Sequence, residues 1–139
     1  MKIDKVRYVK KPSIINGVVV ENDAFKALEM LKNGQAVARF EYGDSMSPIL
    51  LSGEYCILCP FLHGREANIG DAVFCNVNGY LMTHMVLMKS RNVSDDKPYY
   101  LIGSTNGQTY GWTNKVYALA QGTRVLELND DMFQEIDEE

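Results

Sequence analysis

No apolar stretch in this 139-residue sequence approaches the roughly 20 residues a membrane-spanning helix needs, so no membrane span is expected. Positive charge is not in excess either. Fourteen Lys and Arg stand against 18 Asp and Glu, for a net charge of −4, and nothing advertises a nucleic-acid surface. Cysteine is scarce, and three is an odd number that argues against a disulfide framework. Cys56 and Cys59 form one CxxC, but no second pair or histidine stands at ligand spacing. The surrounding stretch 54–61 reads as a strand, where positions three apart face opposite sides, so these cysteines are expected to pack rather than to hold zinc or do redox work. No metal and no cofactor is expected. Repeats, low-complexity linkers and signs of a second domain are also missing.

The charge that is present is unevenly placed. Lys2, Lys5, Arg7, Lys10 and Lys11 make the start basic, and Asp130, Asp131, Glu135, Asp137, Glu138 and Glu139 make the tail acidic. Both ends read as solvated, with a docking tail as the alternative. The basic start is not followed by a signal-peptide core, because 13–20 is short and interrupted by Asn16 and Gly17. The expectation is a soluble protein that stays in the cytoplasm.

What remains is mostly β patterning. Residues 17–20 form a short strand candidate. Asn22 or Asp23 can cap a helix to about Lys32, with Phe25, Leu28 and Leu31 on one face and Asn33-Gly34 as its stop. Strands are expected over 36–42 and 54–61. Residues 72–77 and 80–88 flank Asn78-Gly79, a dipeptide suited to a type I′ hairpin turn. Residues 90–97 read as an exposed loop, 99–102 as a strand, 103–111 as a Gly- and Thr-rich turn region, and 116–128 as one or two closing strands. The fold class expected is mainly β, a compact domain with one short N-terminal helix. Residues 1–35 form a strand/helix extension packed on a β domain over 36–128. An acidic tail, 129–139, follows, with a short helix around 132–136 or no order.

Gly43-Asp44-Ser45-Met46-Ser47-Pro48 directly follows the 36–42 strand. A serine on a tight turn at a strand end can expose its hydroxyl while neighbouring backbone N–H groups face the same space. Such donors form an oxyanion hole, each worth about 3 kcal/mol of transition-state stabilisation. Gly43 leaves room for substrate backbone to approach, and Pro48 stiffens the exit. The bland alternative is a turn in which Asp44 and Ser47 make local hydrogen bonds.

The segment from Gly43 to Leu50, followed by Gly53-Glu54 and a strand, resembles the serine segment of the LexA-type and type I signal-peptidase clan of serine peptidases. That resemblance implies that Ser45 is the nucleophile and that the Gly43, Asp44, Ser45 and Met46 loop supplies the oxyanion environment. It extends to Gly70-Asp71-Ala72-Val73, similar to the Gly-Asp start of the family strand that hairpins back to deliver the base. LexA-like members place a lysine fourteen residues after that glycine, and here the position is His84. Thr83-His84-Met85-Val86 resembles the histidine variant found in eukaryotic- and archaeal-type signal peptidases. Neutral imidazole suits the role of general base near pH 7.

With a two-residue turn at Asn78-Gly79, Val77 pairs with Tyr80 and Val73 with His84. Lys89 is the competing base, but it lies five residues beyond His84, an odd offset that on a regular strand faces the other way. His63, in a Gly64-containing loop, reads as a surface histidine.

Histidine-type members usually carry a late Gly-Asp-Asn segment whose acid orients the imidazole. The matching stretch here is Gly103-Ser104-Thr105-Asn106, with serine where the aspartate belongs. Ser104 or Asn106 could accept a hydrogen bond from the ring, but neither supplies negative charge. Trp112, in the following segment, reads as a core anchor. The resemblance spans about 36–128. Residues 1–35 are wrongly patterned for a LexA-like DNA-binding domain, and no Ala-Gly or Cys-Gly self-cleavage dipeptide precedes Ser45; Asn16-Gly17 is the nearest imitation.

Two functions follow. One is a Ser45/His84 endopeptidase that takes a polypeptide substrate as an added strand, with a small residue before the scissile bond as the resemblance implies. The other is a non-catalytic assembly or regulatory module on the same fold, with a protein partner. The resemblance also implies a phage or mobile-element setting, hence virion or host cytoplasm, and a homodimer.

Overall fold

The computed structural model describes residues 13–40, 54–61 and 65–123. Its elements run β1 (Ile14–Ile15), β2 (Val18–Val19), α1 (Ala24–Lys32), β3 (Val37–Phe40), β4 (Tyr55–Pro60), β5 (Ala72–Val77), β6 (Tyr80–Arg91), β7 (Pro98–Gly103), β8 (Thr109–Thr113) and β9 (Val116–Thr123). The protein is mainly β with one short helix, as expected. None of the described helices is long and apolar enough to cross a membrane.

Local chemistry accounts for the ends of α1. Asp23 Oδ1 accepts the backbone N–H groups of Phe25 and Lys26 at 3.0 and 3.1 Å. An N-cap of this kind is worth about 1 kcal/mol. At the other end, Gly34 adopts φ +82°, its N–H donates to Leu31 O, and Gln35 N–H donates to Met30 O. That pair of bonds is the Schellman stop that a left-handed glycine permits. The buried face of the helix is carried by Ala27 and Leu31, whereas Phe25 stands outward at 73% exposure. The expected Phe25–Leu28–Leu31 stripe is therefore rotated towards the small Ala27, which lets the helix approach the sheet closely.

Residues 17–20 do not make a lone strand. Asn16 and Gly17, both at positive φ, turn β1 back onto β2 as a two-residue hairpin. Beyond it, one antiparallel sheet orders its strands β3-β4-β9-β5-β6-β7-β8. The β5–β6 turn uses Asn78 and Gly79 at φ 53° and 91°, the conformation a type I′ turn demands. The strand expected to end at Met88 continues to Arg91, and the 103–111 region contributes the start of β8. Within the described residues the expected closing stretch is a single strand, β9, and it lies inside the sheet between β4 and β5.

Two apolar clusters sit on opposite faces. Ala27 and Leu31 of α1 cover Val37, Cys56, Leu58, Ala72, Phe74 and Ala118 on one face. On the other, Val73, Cys75, Val77, Val86, Tyr100 and Ile102 pack together with Ala67. β5 supplies both clusters, so its sequence is a near-continuous apolar run instead of an alternating one. The β5–β8 half curls until its ends meet. Thr113 Oγ1 donates to Asn76 O at 2.5 Å, and Asn76 N donates to Lys115 O at 2.9 Å. Two register shifts allow that curl, one on β6 between Val86 and Met88 and one between β7 and β8 at Gly103.

Candidate active site

His84 lies on β6 directly opposite Val73 of β5, the register a two-residue turn imposes. Gly70 N donates to Val86 O at 2.8 Å and Val86 N donates to Asp71 O at 2.9 Å, so Gly70-Asp71 opens the ladder that holds His84. The Asp71 carboxylate turns back to accept Asn68 N at 2.8 Å. Thr83 and His84 face opposite sides: Thr83 is buried, and His84 sits half-buried between Met82 and Val86 on the Val73 face.

The imidazole is packed by an aromatic ring. Tyr110 of β8 stacks on it with centroids 4.4 Å apart and 30° between planes. Nδ1 of His84 is buried and has no hydrogen-bond partner among the described residues. Burial alone pushes the histidine below its ordinary value of 6.5, because desolvation disfavours the charged ring. The ring is therefore neutral at pH 7, the state a general base requires.

The β6–β7 register ends with Met85 opposite Gly103, the last residue of β7, and Ser104 follows it directly. Ser104 is buried, but its hydroxyl donates to Asn106 Oδ1 and its N–H donates to Gln108 O at 2.8 Å. Asn106 Oδ1 also accepts Gln108 N at 3.0 Å. Ser104 is thus committed, with Asn106, to a turn of its own.

Lys89 departs from the sequence expectation. Leu87 has no partner in the register, since Val86 pairs with Ile102 and Met88 with Leu101. This extra residue reverses the parity, so Lys89 shares the face of His84 instead of opposing it. Its ammonium is 3.5 Å from Glu66 and 5.9 Å from the Tyr100 ring centroid. Trp112 is a second departure. It is 44% exposed on β8, tilted against Tyr99 at 5.1 Å, and anchors no core. It lines a groove of about 710 Å³ with Tyr99, Lys97, Lys115 and Asn78, which neither His84 nor Tyr110 borders.

Cys56 is buried and Cys59 exposed on β4, facing opposite sides as strand geometry requires. No group of three metal-ligating side chains occurs among the described residues. Gly43, Asp44, Ser45 and Met46 lie outside the described residues, as do His63, the basic start and the acidic tail. Phe40 of β3 and Tyr55 of β4, between which Ser45 falls in the sequence, pair with each other. Tyr55 pairs in turn with Thr123, and that row lies at the end of the sheet where β5 begins.

Tyr110 is the site residue that sequence reading missed. Its only signal was the glycine density of 103–111, which marks irregular backbone without saying which side chain it aims. No protein-family model matches the chain, and no curated protein matches it.

Proposed function

We propose that this protein is a serine endopeptidase of the LexA/signal-peptidase type, with Ser45 as nucleophile and His84 as general base. The observation that carries the reading is the state of His84: a neutral, half-buried imidazole on a hairpin opened by Gly70-Asp71. In this reading His84 Nε2 takes the Ser45 hydroxyl proton as Oγ attacks the scissile carbonyl carbon. The proton then passes to the departing amine, and water hydrolyses the resulting ester by the same route. The Gly43, Asp44, Ser45 and Met46 backbone supplies oxyanion donors. The substrate is an extended polypeptide added as a strand. A cytoplasmic or virion setting and a homodimer belong to the same proposal.

A second reading, a non-catalytic module with a protein partner, is favoured by one feature. Among the described residues no carboxylate bonds to His84 Nδ1, and the hydroxyl of Ser104, where the resemblance puts an acid, is engaged with Asn106. One experiment separates the two. The protein and its Ser45→Ala and His84→Ala variants are incubated with a diverse peptide pool, and products are compared by mass spectrometry. Cleavages made by the unmutated chain and lost in both variants support the peptidase. Identical product sets at several pH values sink it in favour of the module.

A further inference from the structure

We infer that Tyr110 is the positioning residue of the His84 base: its ring holds the imidazole plane and favours the charged ring formed when the base takes a proton. This inference rests on the peptidase reading for its catalytic meaning, but its physical basis is the stack itself. In triad enzymes a carboxylate on Nδ1 performs both tasks. Here Nδ1 is buried without a hydrogen-bond partner among the described residues, and the face of Tyr110 stacks on the ring with centroids 4.4 Å apart. An aromatic face carries negative potential, so it attracts a cation stacked on it.

The backbone is arranged to deliver that ring. Thr109 pairs with Gly103 and Gly111 with Ile102, leaving Tyr110 as the extra residue of a bulge. A bulge bends the strand and re-aims the side chain it carries. Two glycines stand at this irregularity, Gly111 beside Tyr110 and Gly103 on the facing strand. Gly111 sits at φ +143°, and a Cβ there would come within 3.1 Å of Val77 Cγ1. A Cβ on Gly103 would collide with Gln108 O and Leu87 Cδ1. Leu87 is itself the extra residue of the other bulge, so the two irregularities meet at Gly103.

Among the described residues, β5 presents Val73 and Cys75 on this face, β6 presents Met82 and Val86, and β7 presents Ile102. Cys75 is a neutral thiol pushed up to about 12 by burial. Farther along come Tyr100 and Lys89, the latter already against Glu66.

The test replaces Tyr110 by phenylalanine and then by phenylalanines with one, two and three ring fluorines, which keep the shape while draining the π face. The His84 ring protons are titrated by NMR in the intact chain, assigned against His84→Gln. Tyr110→Phe should titrate with the parent. The trifluorinated ring should lower the midpoint by about half a pH unit, a roughly threefold change in proton affinity, with the acidic limb of cleavage moving in step. A midpoint indifferent to fluorine overturns the inference even if Ser45-dependent cleavage is present. A fluorine-dependent midpoint with no cleavage supports the stack and overturns the peptidase reading instead.

Discussion

Lys89 and His84 project from the same face of β6 although five residues separate them, because Leu87 is bulged out of register between them. Four paired steps still set them about 13 Å apart along the strand. Lys89 is moreover held at the Glu66 carboxylate. Under the proposed peptidase reading, Lys89→Met should therefore leave the pH dependence of peptide cleavage unchanged, whereas His84→Ala should abolish cleavage. Because burial lowers the His84 pKa, the activity should climb with pH through a midpoint below 6.5. A rise seen only above about pH 8, lost in Lys89→Met, would identify the lysine as the base.

The same burial makes stability depend on pH. In the unfolded chain His84 takes up a proton near 6.5, while in the folded chain it does so only at lower pH. Between those two values the unfolded state binds more protons, so stability increases with pH. Lowering the pH through 6.5 should therefore reduce the free energy of unfolding until the folded-state pKa is passed. Urea titrations across that window should show this slope in the parent and a flatter one in His84→Gln.

The three cysteines should differ sharply in reactivity. Cys59 is exposed, Cys56 is buried, and Cys75 is buried with its thiol pushed up to about 12. The thiolate is the reactive form, so Cys75 is protected by both access and ionisation. A thiol-reactive chromogenic disulfide should modify Cys59 rapidly in the native protein, and Cys56 and Cys75 only on denaturation. Cys59→Ser should remove the rapid phase, and its persistence would contradict the orientation of β4.

Gly103→Ala adds one carbon where β7 passes Leu87 and the Gln108 carbonyl. The backbone oxygen cannot yield as a side chain could. Overpacking of this kind costs about 1–3 kcal/mol, and the loss should appear as a lower midpoint in chemical denaturation. The variant should also disturb the Tyr110 stack, so the His84 ring signals should shift. Unchanged stability and unchanged signals would show that the two bulges are not coupled.

Much of this geometry is written in short-range chemistry. Asp23 and Asn33-Gly34 fix both ends of α1 through their own hydrogen bonds, and Asn78-Gly79 fixes the hairpin. Once that turn has two residues, the Val73–His84 pairing follows by counting. The irregularities at Leu87 and Tyr110 were not legible in the same way. Each answers to the curl that brings Thr113 onto Asn76, a contact across 37 residues. Parity counting assumes a regular strand, and so it misplaced Lys89. The outward positions of Phe25 and Trp112 escaped for a related reason, since hydrophobicity does not reveal which neighbour arrives to cover a side chain.

Val73 and Phe74 are consecutive on β5, both fully buried, yet they belong to different clusters. The two faces of the sheet are thus tied together at successive peptide bonds of β5, with the helix resting on one side and the partner of His84 on the other. Neither cluster should melt alone. Damage under α1, far from the imidazole, should be felt at His84 as directly as damage beside it, and the domain should unfold in one cooperative step.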